Sequence, residues 1–189
     1  MNNKLIQINI LAISGSLRAD SSNTSILNAI AAMAPEFVTV TIFKGLADLP
    51  FFSPELDNEN SSTSVNNLRK LVAEADGLLI STPEYAFGVP GVLKNALDWL
   101  VSSGELNEKP MFSISASPLY SGGEKALASL LLTLVALGTT EVGKLSIPNI
   151  KNKLNANKQI TDEETLKALK TALDALLNFI NNKQKIDRE

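Results

Sequence analysis

The sequence contains no cysteine and no histidine among its 189 residues. These two absences exclude disulfides, thiol catalysis, Cys/His zinc sites and every catalytic triad that uses histidine. Long hydrophobic runs are also missing. The longest one, near Leu130 to Leu137, is too short to cross a bilayer as a helix.

A strong charge of one sign is absent as well. The formal net charge is −3, and acidic and basic residues are interspersed, so nothing indicates a nucleic-acid or membrane surface. The apolar N-terminal run is interrupted by Gln7 and Asn9 and has no small-residue cleavage site, which argues against a targeting segment. At 44% hydrophobic residues, we expect a soluble, cytoplasmic protein with a single domain over residues 1–189.

Five apolar segments predict β-strands, and a helical pattern follows each of them. The strands are predicted at residues 5–13, 37–43, 77–81, 110–115 and 140–147. The helices are predicted to begin near residues 23, 64, 90, 125 and 163, the last one opened by a capping box at residues 161–164. Strands that alternate with helices indicate right-handed βαβ units and a parallel sheet that is covered on both faces.

Irregular loops follow the first, third and fourth predicted strands. In parallel sheets these loops meet at the carboxyl ends of the strands, where ligands bind. The first loop leads into a helix N-terminus and carries Ser16, Arg18, Ser21 and Asn23, a set that suits a phosphate monoester. The alternative is that these serines and the asparagine serve only as turn and capping residues. The loop matches neither a dinucleotide-binding fingerprint nor a P-loop.

Three motifs carry a resemblance to a known family. The first is Gly15-Ser16-Leu17-Arg18 with Ser21 and Asn23. The second, which is long and specific, is Pro83-Glu84-Tyr85 followed by Pro90-Gly91-Val92-Leu93-Lys94-Asn95-Ala96-Leu97-Asp98-Trp99. The third and weaker one is Ser115-Ala116-Ser117 with Gly122-Gly123. On these motifs the chain resembles, over essentially its whole length, the NAD(P)H-dependent FMN reductases of flavodoxin-like fold.

The resemblance implies an α/β three-layer sandwich with a five-stranded parallel sheet in the order 2-1-3-4-5. It implies an FMN-dependent oxidoreductase that takes a hydride from NADPH or NADH and passes electrons to a small acceptor in a ping-pong mechanism. The acceptor would be a quinone, an azo compound, free flavin or a metal oxyanion. The chemistry would occur at flavin N5 without a catalytic side chain, in a homodimer or homotetramer.

The resemblance also implies which residues bind the cofactor. Ser16, Arg18, Ser21 and Asn23 would hold the FMN phosphate. The isoalloxazine ring would lie along Pro83, Glu84, Tyr85, Ala86 and Phe87, with Ser117 and Gly122 nearby. The sequence departs from many members at Ala86 and Gly88, where they carry Asn and Ser, so we expect backbone contacts and a more apolar pocket.

The roles of several residues stay open at this point. Tyr85 could shape the pocket or only pack the loop. Glu84 could cap a backbone amide, pair with Lys94 or donate a proton. Trp99 lies off the apolar stripe of its helix and could belong to a subunit interface, which we expect, or to the core. The cluster at residues 49–52 could line a pocket or an interface, or could pin a surface loop.

Three other functions compete with the reductase. A flavodoxin-type electron carrier would have a phosphate loop without Arg18 and a more acidic surface. A receiver domain needs paired acidic residues after the first strand, and Ile13-Ser14 provides none. A binding module without flavin would be colourless when purified.

Overall fold

The computed structural model describes residues 7–186. Its sheet has five strands: β1 (Ile8–Ser14), β2 (Val38–Phe43), β3 (Gly77–Thr82), β4 (Pro110–Ala116) and β5 (Thr140–Ile147). They are ordered β2-β1-β3-β4-β5, and every neighbouring pair is parallel. The predicted fold class and strand order are therefore confirmed. Residues 5 and 6 of the first predicted strand lie outside the described residues.

Five helices connect and follow the strands. They are α1 (Ser22–Ala32), α2 (Thr63–Glu74), α3 (Gly91–Asp98), α4 (Glu124–Ala136) and α5 (Glu163–Ile186). Short 3₁₀ turns occur at Leu46–Asp48, Pro54–Leu56 and Ile150–Lys153. The sequence patterns indicated none of these turns, nor the bridge between Leu154 and Ile160 that follows the last one. Within residues 7–186, no helix combines the length and apolarity needed to cross a membrane.

The two faces of the sheet bury two separate apolar clusters. Alternate side chains of β1 point to opposite faces: Leu11 and Ile13 pack with α2, α3 and α4, whereas Ile8 and Ile10 pack with α1 and α5. The chain leaves β1 for α1 on one face of the sheet and leaves β3 for α3 on the other. The loops after β1 and β3 consequently diverge, and a crevice forms between them.

The capping box predicted at the start of α5 is wrong in its detail. Asp162, not Thr161, provides the cap: its Oδ2 accepts the Thr165 N–H at 3.0 Å. The same oxygen lies 2.8 Å from Lys153 Nζ, on the preceding 3₁₀ turn. Lys153, nine positions before Asp162, thus favours a carboxylate at the capping position.

Asp57 has a similar role in the long loop between β2 and α2. Arg69 of α2 binds its Oδ1 at 2.6 Å, and the Ser102 hydroxyl donates to its Oδ2. These hydrogen bonds hold the pKa of Asp57 below its usual value. Lys153 and Thr165 lower the pKa of Asp162 to about 2. Both carboxylates anchor segments that carry little regular structure.

We expect protonation of these two carboxylates to lower the stability of the protein in acid. A carboxylate with a lowered folded-state pKa contributes stability above its unfolded pKa of 3.8 and loses it as the pH falls through the folded value, about 2 for Asp162. Asp57→Asn and Asp162→Asn should therefore flatten the decline in unfolding free energy below pH 4, measured by denaturant titration. Glu59→Gln, at an exposed position, is the control. Slopes identical to that of the unmodified protein would contradict this.

Trp99 lies in the core, so the expectation of a subunit interface there is wrong. Its side chain is 1% exposed, and its Nε1–H donates to the Pro50 carbonyl at 2.8 Å. Phe52 packs edge-on against it, with ring centroids 5.1 Å apart. Asn95 donates to the same carbonyl at 2.9 Å and accepts the Phe52 N–H at 2.8 Å. Contacts within the same chain thus hold the segment 49–52 against α3.

Candidate active site

Three loops form the rim at the carboxyl ends of the strands: loop A (residues 15–21), loop B (residues 83–90) and loop C (residues 117–123). Loop A approaches loop B closely at Gly15, where a Cβ atom would lie 3.0 Å from Leu93 and 3.4 Å from Pro83. Loop B touches the end of loop C at Gly123, where a Cβ would lie 3.6 Å from that of Glu84. The predicted convergence of the three loops is confirmed.

Ser21 and Asn23 organise the junction between loop A and α1. Ser21 is the N-cap, and its hydroxyl accepts the Thr24 N–H at 3.5 Å. Asn23 is 3% exposed, and its Oδ1 accepts the Ser81 hydroxyl of β3 at 2.8 Å. Both oxygen atoms thus have structural partners, as the capping interpretation suggested. No group among residues 7–186 accepts the Ser21 hydroxyl proton or the Asn23 amide protons, so a ligand can take them.

The same junction can hold an anion. Within the described chain, no protein group accepts the N–H of Ser22 or Asn23 in the first turn of α1. A helix N-terminus with uncommitted N–H groups favours an anion. Arg18 is exposed and has no ion pair with a described residue, and the Ser16 hydroxyl accepts its N–H at 3.3 Å. A phosphate fits this donor set.

Loop B presents a tight turn. Tyr85 and Gly88 exchange two backbone hydrogen bonds of 3.0 Å, and the central residues Ala86 and Phe87 have φ values of 49° and 61°. Positive φ at both central positions is the pattern of a type I′ turn, which favours Asn-Gly. Ala and Phe hold it under backbone strain, a feature typical of functional segments. The side chains of Tyr85 and Phe87 are 51% and 77% exposed.

Glu84 binds the N-terminus of α4, which decides between the interpretations of this residue. Its Oε2 accepts the N–H groups of Lys125 and Ala126 at 2.9 and 3.0 Å. Lys94, the alternative partner, pairs with Asp98 on its own helix. The interpretation of Glu84 as a cap is confirmed.

Ser117 and Gly122 shape loop C. Ser117 is 5% exposed, and its hydroxyl accepts the Leu119 N–H at 3.1 Å. Gly122 has φ 63°, and a Cβ atom there would lie 3.0 Å from the Pro148 nitrogen, so a side chain at this position would be strained and crowded. The Ser115 hydroxyl donates to the Gly122 carbonyl at 2.9 Å. Gly122 therefore brings only its backbone to the rim, whereas Ser117 brings its backbone and a hydroxyl that accepts a hydrogen bond from within loop C.

An apolar collar around these loops was only partly predicted. Seven large side chains of the loops after β1 to β4 are at least half exposed: Leu17, Phe51, Leu56, Tyr85, Phe87, Leu119 and Tyr120. Both tyrosines of the chain are among them. The departure from Asn at Ala86 indicated a more apolar pocket, but no sequence pattern pointed to Leu119 and Tyr120. The collar favours a ligand with a large apolar surface.

A separate groove of about 720 Å³ runs between α1 and residues 157–161. It shares only residues 19–21 with loop A. Asn28 and Met33 line one wall, and Lys158 and Ile160 line the other. The groove begins at loop A and does not reach loops B and C.

Comparison with known proteins identifies relatives of the whole chain. Residues 8–152 match the family model of NADPH-dependent FMN reductases. The chain is 31% identical to a quinone reductase of Escherichia coli strain K12 over 180 residues, which cover 92% of the chain and 96% of the relative. It is also 31% identical to a 2-hydroxy-1,4-benzoquinone reductase of a Burkholderia species, with 94% of the chain and 98% of the relative covered.

Solved structures with the same fold include oxidoreductases. The flavoenzyme FerB of Paracoccus denitrificans, an NAD(P)H:(acceptor) oxidoreductase, superposes with a TM-score of 0.83 and 28% identity. The match covers 93% of this chain and 98% of FerB. An oxidoreductase of Corynebacterium diphtheriae, at 17% identity and a TM-score of 0.67, shares the fold.

Proposed function

The chain belongs to the NADPH-dependent FMN reductase family, and from this premise we propose that it carries electrons from NADPH or NADH to a quinone in a ping-pong mechanism. Membership of the family means that the chain is an oxidoreductase with FMN as cofactor and NAD(P)H as co-substrate. Two relatives are named as reductases of quinones. The observation that carries the proposal is the anion site of loop A beside the apolar collar, which together suit a phosphorylated flavin and a planar apolar acceptor.

FMN, when bound, supplies the hydride and electron chemistry, and the residues of the chain bind and orient it. We assign the phosphate to the N-terminus of α1, with Ser16, Arg18, Ser21 and Asn23. Loops B and C would line the ring through backbone groups at residues 83–87, Ser117 and Gly122. The collar would limit the access of water and favour a quinone over a metal oxyanion, because an oxyanion loses its hydration shell on an apolar surface.

The visible spectrum of the protein after reconstitution with FMN tests this proposal. We expect a bound-flavin spectrum that NADPH or NADH bleaches and that a quinone restores. Double-reciprocal plots of rate against nucleotide concentration, taken at several fixed quinone concentrations, should be parallel. An azo dye, free flavin and chromate should be slower acceptors. A flavin that neither nucleotide bleaches would favour an electron carrier, and a protein that binds no FMN would contradict the assignment.

The domain organisation and the location are proposals of the same kind. All five strands belong to one sheet, and the two apolar clusters cover its two faces, which supports one FMN-binding domain along the chain. A single cooperative unfolding transition would agree with it. The expected cytoplasmic location stays a prediction.

We propose that a second copy of the chain covers the outer face of α4. Leu132 and Val135 are 75% and 70% exposed on this helix, with Ala128 and Ala136 on the same side. No charged residue occurs between Ala126 and Gly138. In a two-fold assembly the same face meets itself, and an uncharged face does so without placing like charges together. This surface replaces the one expected at Trp99.

Leu132→Glu should therefore shift the protein from dimer to monomer. Burying an unpaired carboxylate in an apolar interface is costly. The dissociation constant of the dimer should therefore increase by two or more orders of magnitude, since each ~1.4 kcal/mol changes it tenfold. Light scattering at roughly 1–10 µM protein measures the molar mass of the assembly, which depends on protein concentration. Leu56→Glu, at another exposed leucine, should leave the mass unchanged. A monomeric unmodified protein would contradict the proposed interface.

A further inference from the structure

Helix α4 takes its N-terminal cap from a different loop. Its own N-cap position is Gly123, which has no side chain and makes no capping bond. The carboxylate of Glu84, about forty residues earlier in the chain, accepts two N–H groups of the first turn instead. One carboxylate oxygen thus satisfies two of the four N–H groups that a helix leaves without intrahelical partners.

The glycines of loop C explain why the cap comes from outside. Gly122 and Gly123 have φ values of 63° and 83°, which other residues rarely adopt. A Cβ at Gly123 would lie 3.3 Å from that of Ser115 and 3.6 Å from that of Glu84. A serine or aspartate at this position would be both strained and crowded. The loop therefore has no local capping side chain, and Glu84 fills that role.

The cap fixes two loops of the candidate site to each other. Glu84 directly precedes the 85–88 turn, in which Ala86 and Phe87 hold strained backbone angles. The turn is closed by the two bonds between Tyr85 and Gly88, and Pro83 and Glu84 connect it to the end of β3. Its anchor on that side is the contact of Glu84 with α4. On the other side, Pro90 starts α3.

The cap also determines which charge the rim presents. A helix N-terminus carries a partial positive charge equivalent to about +0.5. Glu84 places its carboxylate against that end of α4, whereas no described carboxylate contacts the N-terminus of α1. The N-terminus of α4 is thus neutralised by a carboxylate, whereas that of α1, at loop A, has no carboxylate against it among the described residues.

We propose that Glu84 is a positioning residue of the flavin site, which holds loops B and C in the arrangement that receives the ring and neutralises the N-terminus of α4 beside it. The proposal rests on the proposed function. Glu84 acts through the backbone of the two loops and is not a proton donor, because both of its described partners are N–H groups that donate to it.

Binding of FMN and riboflavin to the apo protein tests this role. Glu84→Ala removes hydrogen bonds to a charged group, so both flavins should bind about tenfold more weakly. The losses should be equal, since Glu84 acts on the ring and not on the phosphate. Glu84→Gln keeps an acceptor oxygen and should lose only roughly threefold. Glu124→Gln removes a charge from the same helical turn without a side-chain contact and should bind both flavins as the unmodified protein does.

The reduction potential of bound FMN provides a readout that a merely structural role would not change. Without the negative charge, Glu84→Gln should favour reduced over oxidised FMN by roughly threefold, which raises the two-electron potential by about 15 mV. Glu124→Gln should shift it less. An unchanged potential and unchanged flavin affinities in both Glu84 variants would overturn the proposal. Absence of FMN binding by the unmodified protein would overturn the proposed function as well.

Discussion

Arg18→Ala is expected to weaken FMN binding by one to two orders of magnitude and to leave riboflavin binding unchanged. Arg18 is the only arginine or lysine of loop A, and it has no ion pair among the described residues that would have to be broken first. A charge-assisted contact to a phosphate contributes roughly 1.5–3 kcal/mol, and each ~1.4 kcal/mol is tenfold in affinity. Titration of both flavins into the apo protein, followed by flavin fluorescence, measures the two affinities.

A matched lysine provides the control for Arg18. Lys158 is exposed and lines the groove beside α1 that begins at loop A. Lys158→Gln should leave both affinities unchanged if the phosphate lies at the N-terminus of α1. The fold should persist in Arg18→Ala, because an exposed loop side chain contributes little to stability. An unchanged FMN affinity, or an equal loss for riboflavin, would mean that loop A does not hold a phosphate.

The two variants separate the two halves of the proposed site. Arg18→Ala should act on FMN alone, whereas Glu84→Ala should act on FMN and riboflavin alike. This contrast follows from the structure, in which Arg18 lies in the loop that offers uncommitted N–H groups and Glu84 lies between the loops assigned to the ring. Parallel losses in both variants would indicate a general loosening of the rim instead.

The sheet could be predicted because its local patterns agree with its global arrangement. Gly77–Thr82 is buried throughout, as a central parallel strand covered on both faces must be. The predicted bounds of the fifth strand, residues 140–147, coincide with β5. Its mixed burial follows from its position at the edge of the sheet. Alternation of strands and helices then left few possible topologies.

The contacts of the site could not be predicted in the same way, because they join residues that are far apart in the chain. No periodicity links Glu84 to Lys125, and a capping serine resembles a phosphate ligand in sequence. The positive φ values of Ala86 and Phe87 also contradict local preference, since alanine and phenylalanine disfavour them. Such local inconsistency is expected at functional sites.

Trp99 shows how a helical projection can mislead. A helical projection places Trp99 away from Leu93, Ala96 and Leu97, which are buried. The expectation of an interface at Trp99 follows from it only if the sheet alone covers α3. The segment 49–52 covers a second side of the helix. Val101, three residues beyond the end of α3 at Asp98, is 63% exposed.

Trp99→Ala is therefore expected to lower the unfolding free energy by about 3–5 kcal/mol, the usual cost of removing a large buried aromatic side chain. The loss combines the volume of the indole, its edge-on contact with Phe52 and the Nε1 hydrogen bond to Pro50. Trp99→Phe keeps most of the volume, and Asn95 still donates to the Pro50 carbonyl, so a smaller loss of about 1–2 kcal/mol should remain.

Denaturant unfolding measures these differences, with Val101→Ala as the control. That position lies two residues away and is mostly exposed, so its substitution should stay within about 0.5 kcal/mol. Because Trp99 contacts segment 49–52 and not a second subunit, the loss in Trp99→Ala should be the same at low and high protein concentration. A loss that shrinks as the protein is concentrated would instead place Trp99 at an interface between copies of the chain.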